Sequence, residues 1–542
     1  MPHVSPRYAV APVPAGAGRH PVVVTGGGLV GLTMALDLAR RGVAVVLLDE
    51  DDTVSTGSRA ICVAKRSLEI FGRLGLGRRM LEKGIVWNRG RVFRRDREIY
   101  AFDLLPEQGH EYPAFVNLQQ YYVEEWLVEA CLATGLVELR WGHRVIDVEP
   151  GGDGVRVSVG GPGGAYGLRG DWLLAADGAR SAVRRCLGLP FVGQSFHDRF
   201  LIADVVMEAE FPVERRFWFD PAFHPGQSAL LHKQPDRVWR IDLQLGWEAD
   251  PEAERQPARV IQRIAAMLGP GVRFALEWVS VYTFSCRRIE RFVHGRVVFV
   301  GDSAHQVSPF GARGGNGGVQ DADNLGWKLA AVLRGEAPVS LIGSYDAERI
   351  EAADENILNS TRSTDFITPK SGAARAYRDA VLALAERHAF ARPMVNSGRL
   401  SRPAVHSGSP LNGAGDGWDG GVVPGQVAVD APVLREGEAD WLLRHVGGAG
   451  FTLVVFGTVA EALPGVGVVL VSPREVVAPG VVVLVDQSGL GQVRYGAPPG
   501  GAVLFRPDQI CCARFREPRA DRVLAAVRQA LGGAALAVAV AA

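Results

Sequence analysis

The chain lacks any excess of charge: 59 Lys and Arg stand against 59 Asp and Glu in 542 residues. That balance excludes a broad electrostatic grip on nucleic acid or anionic lipid. Lysine is scarce, five residues against 54 arginines, and no function follows from it. Cysteine is scarce too. The six residues Cys62, Cys131, Cys186, Cys286, Cys511 and Cys512 form no C-x-x-C pair. This excludes a zinc module and a disulfide scaffold and fits a reducing compartment. The apolar end, Leu531–Ala542, is 12 residues long, whereas a bilayer needs about 20. Residues 1–20 are rich in Pro, Ala and Gly, lack the apolar core of a signal peptide and read as a disordered tail. These absences leave a soluble, multidomain, cytoplasmic chain.

What is present is apolar material, 47% of the residues. That is enough for the cores of two or three domains. Pro21–Thr25 is a short β-branched run that ends in a glycine cluster. The helical segment Leu29–Arg40 follows, and then a second run, Val43–Leu48, ending in Asp49-Glu50-Asp51-Asp52. Strand, glycine turn, helix and strand make a βαβ unit. Val155, Val157 and Val159 alternate with polar residues before a glycine turn, as in a hairpin. Trp172–Ala176 and Arg296–Val300 are buried-type strands, each ending in a small acidic motif. Residues 191–285 hold longer strand candidates and predict a separate, mainly antiparallel sheet. A helix is predicted from Asn316 to about Arg334. Residues 407–425 hold seven Gly and two Pro in 19 positions, which marks a boundary. Short strands and a last helix, Arg519–Leu531, then predict a small α/β domain.

Three motifs carry chemistry. The first is Gly26-Gly27-Gly28-Leu29-Val30-Gly31, a G-x-G-x-x-G that opens a helix directly after a strand. Gly26 permits the tight turn, Gly28 lets a pyrophosphate approach the backbone, and Gly31 lets the helix pack on the strand. The phosphates would meet free N–H groups at the helix start, and Asp49, with Glu50 beside it, would accept the ribose hydroxyls. The second is Asp177-Gly178, which alone reads as a plain turn. The third is Gly301-Asp302-Ser303-Ala304-His305, followed by Pro309-Phe310-Gly311-Ala312-Arg313-Gly314-Gly315-Asn316-Gly317-Gly318. Asp302 can bind a sugar or ribityl hydroxyl. The glycine loop brings N–H groups and a positive dipole end to one spot, which suits a flat ring with negative charge along one edge.

In this order and spacing the three motifs resemble the single-component FAD-dependent aromatic hydroxylases, the group of para-hydroxybenzoate hydroxylase and phenol hydroxylase. Ser58-Arg59-Ala60 is similar to the family's flavin-contacting arginine. Gln120-Tyr121-Tyr122-Val123-Glu124 is similar to its Q-x-x-hydrophobic-E helix, whose Gln contacts the cofactor. The resemblance covers roughly residues 20–395. The end of the chain, Val503–Asp508 and the strand after it, is similar to the hydroxyphenylpropionate hydroxylase-like branch with a thioredoxin-like C-terminal domain. Gly457-Thr458-Val459-Ala460 holds no Cys where a redox motif would stand, so that domain would be structural.

The resemblance implies an α/β fold. A Rossmann-type FAD-binding domain (21–190 and, with connecting helices, 286–395) would carry an inserted antiparallel substrate domain (191–285). A linker (396–425) and a thioredoxin-like domain (426–542) would follow. It implies FAD as cofactor, reduced by NADPH or NADH, and O₂ activated as a flavin C4a-hydroperoxide that hydroxylates a phenolic substrate. Epoxidation or Baeyer–Villiger oxidation of a polycyclic natural product, or a non-catalytic flavin-binding role, stay as alternatives. The implied cofactor contacts are Gly26, Gly28, Gly31, Asp49, Glu50, Arg59, Gln120, Asp177, Gly178, Asp302, Pro309, Gly311, Gly314, Gly315 and Asn316. Pro309 would line the oxygen-reacting side. A phenol is a better nucleophile as its phenolate, so a base is expected near the ring. His232 and Tyr282 are candidates, with His224 and Asp242 beside them. Partners would be a small aromatic substrate, O₂ and NAD(P)H, with no nucleic acid or membrane. A homodimer is an assembly the sequence leaves open.

Overall fold

The computed structural model describes residues 3–14, 18–57, 60–209, 211–395, 400–413 and 415–533, apart from the side chain of residue 197. Val22, Val23 and Val24 are fully buried, so the strand Arg19–Thr25 sits inside a sheet covered on both faces. It runs parallel to Gly164–Ala175 on one side and Val45–Asp49 on the other. Val297–Phe299 and Val137–Trp141 extend the sheet outward, also in parallel. Thr25, Ala175 and Phe299 stand in register. The chain therefore leaves all three strands at the same edge, the carboxyl edge where parallel sheets bind ligands. Helices Leu29–Arg40, Gln120–Ala133 and Gly314–Leu333 pack together against this sheet. The hairpin Gly154–Gly161 with Gly164–Ala175 forms as its alternation predicts.

A second, eight-stranded sheet is antiparallel at every pairing except Arg215–Phe219 with Arg89–Arg94. Its centre, Val192–Met207, Val238–Leu245, Ser228–Lys233 and Phe274–Arg288, comes from the middle of the chain. Strands Arg89–Arg94 and Arg97–Asp103 join it from the first half, which the residue limits 191–285 had left out. Leu201, Ala203, Val205, Leu231, Trp239, Ile241 and Leu243 make one face apolar, and Val260 and Ile264 of the helix Pro257–Leu268 cover it. The other face looks toward the first domain.

The C-terminal α/β domain holds a seven-stranded sheet. Thr452–Phe456, Gly467–Ser472 and Val482–Val485 run parallel, and Ala502–Phe505 and Cys511–Phe515 continue it antiparallel. Cys511 and Cys512 point into the two opposite cores, both buried. Burial raises the Cys512 thiol to about 12, so neither is poised for thiolate chemistry.

Two expectations are corrected. Residues 3–14 are not a disordered tail. Tyr8 stacks on Trp141 at 4.7 Å and donates its N–H to the Asp52 carbonyl at 2.7 Å, and His3 stacks on Tyr121 at 4.4 Å. Nor do the described residues of 400–425 form a free linker. Gly413 and Asp416 donate N–H groups to the Cys512 and Arg514 carbonyls, both at 2.7 Å, and His406 is buried. Glycine and proline set the turns here, but backbone pairing to the last strand holds them.

Candidate active site

The first glycine turn is closed by sterics. Gly26 has φ +98°, and a Cβ on Gly31 would stand 1.9 Å from the Gly26 carbonyl oxygen. Helix Leu29–Arg40 can start there only because Gly31 has no side chain. Glu124 pins the turn from a third element. Its carboxylate accepts N–H bonds from Leu29 and Ser55, both at 2.9 Å, and an amide bond from Gln120 at 2.7 Å. Gln120 in turn accepts the Ala60 N–H at 3.0 Å. Asp49 accepts the Gly27 and Asp51 N–H groups, yet burial raises its pKa.

The other two turns are held as firmly. Asp177 accepts the Val183 N–H at 3.1 Å, while its Oδ1 is buried without a partner. Asp321, on helix Gly314–Leu333, accepts the Gly301 N–H at 2.9 Å, His305 at 2.7 Å and Arg349 at 2.6 Å. Against the cost of burial, His305 and Arg349 hold its carboxyl well below the usual range. This helix starts at Gly314, two residues before the predicted start. Glycine disfavours helix, but Asn316 locks the first turn. Its side chain accepts the Ala64 N–H at 2.9 Å and donates to the Cys62 and Ala312 carbonyls at 2.8 and 2.7 Å.

The turns and the inner face of the second sheet enclose one cavity of about 790 Å³. Gly26, Gly28, Asp49, Glu50, Gln120, Asp177, Gly178, Asp302, Pro309, Gly314, Gly315 and Asn316 line it, as do His232 and Tyr282. Gly31 and Gly311 lie behind it, Gly31 in helix packing and Gly311 at φ +100° in the turn after Pro309. Arg59 lies outside the described residues. His224 is elsewhere, bonded to the Gln244 carbonyl. An FAD fits this lining: two helix N-termini open into it for anionic groups, the acidic side chains Asp49, Glu50 and Asp302 line it as acceptors for hydroxyls, and Asp177 offers a free buried acceptor.

A family model described as an FAD binding domain matches residues 19–360. The 6-methylpretetramide 4-monooxygenase of Streptomyces rimosus is 33% identical, over 91% of this chain and 90% of that protein. The 3-(3-hydroxy-phenyl)propionate/3-hydroxycinnamic acid hydroxylase of Mycolicibacterium smegmatis is 26% identical, with the same two shares. The crystal structure of the flavin-dependent monooxygenase PieE with FAD and substrate shares the fold. Its TM-score is 0.83 at 23% identity, covering 95% of this chain and 99% of that one. This chain belongs to the FAD-dependent aromatic monooxygenase family.

In this monooxygenase the sheet wall holds residues that the motifs do not reveal. Ala203 pairs with Ile241, Asp204 with Arg240 and Trp278, and His232 with Arg240. Arg216 pairs with Leu231, which sets Arg215 beside His232. One row of the wall thus reads Arg215, His232, Arg240, Asp204, Trp278. The next row carries Leu230, Asp242, Ile202 and Ser280. Arg240 grips Asp204 with two bonds, Nε at 2.9 Å and Nη2 at 2.7 Å. Burial pushes Asp242 up to about 6, and it lowers the His232 imidazole well below its ordinary range, with Arg215 and Arg240 adding to that. The signal for Arg240 and Asp242 was the alternation with Trp239, Ile241 and Leu243; Arg215 had none.

Proposed function

We propose that the monooxygenase uses NADH or NADPH and O₂ to hydroxylate a phenolic, polycyclic aromatic compound. The observation that carries this is the single cavity running from the three turns to the sheet wall. FAD, when bound, supplies the redox chemistry: it takes up a hydride and activates O₂. The chain does the rest. The start of helix Leu29–Arg40, at the N–H groups of Gly28 and Val30, would hold the pyrophosphate, and Asp49 and Glu50 would hold the ribose. Asp302 would accept a ribityl hydroxyl, Asp177 would offer its free Oδ1 to a cofactor hydroxyl or N–H, and Gln120 would contact the cofactor from its own helix. The N-terminus of helix Gly314–Leu333 sets a positive potential against the flavin edge that becomes anionic on reduction. Pro309, which lines the cavity, would offer no N–H on the oxygen-reacting side. Phe200, Phe310, Trp87 and Trp278 keep water from it, which limits loss of reducing equivalents as H₂O₂. Arg59 keeps the flavin-contacting role that the resemblance implies.

The polycyclic reading is supported by the 33% identity to the enzyme named for 6-methylpretetramide over nearly the whole chain. The test is a substrate panel from one ring to four, with O₂ uptake, NAD(P)H oxidation and H₂O₂ release measured together. The expected result is low H₂O₂ release with a polycyclic phenol only. A protein purified without FAD, or uncoupled oxidation with every compound, would refute the reading.

A further inference from the structure

The wall contains a cation without a counter-ion. Arg215 lines the cavity, and its Nε is buried with no hydrogen-bond partner. Among the described residues no carboxylate lies within ion-pairing distance of it. The other charges facing it are accounted for. Arg240 is engaged by Asp204, and Gln234 also bonds Asp204 at 2.9 Å. His232 is buried and stands edge-on to Trp87 at 5.9 Å between centroids, its Nδ1 unpartnered. Cys62 donates its thiol to Asn117 at 3.2 Å. Asp242, one row away, keeps a buried Oδ1 without a partner.

Arg215 is half-buried, and a guanidinium whose Nε is buried without a hydrogen-bond partner is costly. A substrate oxyanion is the group that would complete it, because guanidinium donors bind such oxygens with charge-assisted bonds. We propose that Arg215 is the specificity-determining anchor of this site. It binds the substrate through an ionised oxygen on the aromatic skeleton, and Asp242 accepts that oxygen's proton. The O–H bond breaks, its electron pair stays on the substrate oxygen beside Arg215, and the proton moves to the Asp242 carboxylate. His232 then serves as a neutral hydrogen-bonding neighbour. The inference rests on the cavity being the substrate site. Its test needs binding only, so its failure is distinct from failure of the oxygen chemistry.

The probe is quinizarin (1,4-dihydroxyanthraquinone), which is neutral and orange at pH 7 and violet when ionised, beyond the flavin's visible band. Anthraquinone-2-carboxylate and 1,4-dimethoxyanthraquinone accompany it. The FAD-loaded enzyme is expected to turn quinizarin violet at pH 7. Arg215→Gln should weaken its binding tenfold or more and leave the dye orange, and Arg215→Lys should restore part of the colour. The dimethoxy compound should bind both proteins within threefold. In a lightly buffered solution, wild type should release no net proton on binding quinizarin and Asp242→Asn should release one. A loss in Arg215→Gln confined to quinizarin assigns a phenolate or enolate substrate; one confined to the carboxylated probe overturns the inference, because a carboxylate brings Asp242 no proton. The inference is overturned if Arg215→Gln binds both acidic probes like wild type. It is also overturned if wild type binds neither probe at millimolar concentration, or if Asp242→Asn releases no proton.

Discussion

Glu348 holds together a fully buried charge cluster, and removing its charge has a calculable cost. The carboxylate is fully buried and accepts from Lys328 Nζ and Asn324 Nδ2, at 2.8 and 2.7 Å. It also accepts two bonds from Arg506, and one from the Ser409 hydroxyl. Arg506 belongs to the C-terminal domain, Lys328 to the helix behind the flavin site. Against the cost of burial, Arg506 and Lys328 hold the Glu348 carboxyl well below its usual range. Glu348→Gln leaves these two cations facing a neutral amide whose NH₂ group must point at a donor. Breaking one side of a buried ion pair costs about 3–5 kcal/mol. The exposed pair Arg78–Glu82 is the control, 91% and 62% accessible, where Glu82→Gln should change stability by less than about 1 kcal/mol. Urea unfolding followed by far-UV circular dichroism, with limited proteolysis of the C-terminal domain alongside, measures both. If Glu348→Gln destabilises no more than Glu82→Gln, the reasoning about this cluster is wrong.

Gly31→Ala puts a Cβ 1.9 Å from the Gly26 oxygen, so the turn must open; the purified protein should carry less than a tenth of the wild-type FAD by absorbance, and full occupancy would refute the packing role. With Asp242 near about 6, kcat/KM should rise with pH through that value as the carboxylate forms, and the limb should vanish in Asp242→Asn. His406 is buried, and burial lowers its pKa to about 4 from an ordinary 6.5. Unfolded chains therefore take up this proton first, and stability falls as pH drops from 6.5 toward 4, by about 2 kcal/mol at pH 5. His406→Gln should flatten that slope in unfolding titrations, and an unchanged slope would exclude His406 as its source.

The side of the cavity that the three turns line was legible because each motif is local. Gly26–Gly31 announces itself through spacing after a strand, and parallel register carries Asp177 and Asp302 to the same edge without any further signal. The substrate half was legible only as residue types. His232 and Tyr282 do face the cavity, but nothing in the strand Arg215–Phe219 distinguishes the inward Arg215 from Arg216, because the facing depends on its pairing with Ser228–Lys233. Strand Arg89–Arg94 escaped for the same reason: its parallel pairing with Arg215–Phe219, across more than 100 residues, leaves no pattern in either segment, and Arg97–Asp103 joins the sheet only through it. Buried charge was the other blind spot. Asp321, Asp323 and Lys328 bring charge to the helix Gly314–Leu333, yet all are buried, and only their partners on distant elements explain why.

Those partners also show where the C-terminal domain meets the rest of the chain. Helix Gly314–Leu333 begins at the flavin site with Asn316 and fixes the Gly301 turn through Asp321. Two residues later, Asp323 accepts Arg66 at 2.9 Å and also binds Arg73. Arg66 donates onward to Gln509 and to the Asp508 carbonyl, both at 2.7 Å, and Arg73 donates to the Pro507 carbonyl at 3.0 Å. Arg66 and Arg73 lie on the helix Lys65–Arg73, which follows directly on the strand that Asn316 anchors. The loop 506–509 is thus wedged against both helices that brace the flavin-facing turns. Buried charges tolerate little displacement, since each broken partner strands another. The C-terminal domain therefore acts on the active site as a clamp on the far end of its central helix, a task that needs Arg506 and Asp508 in place and no thiol at all.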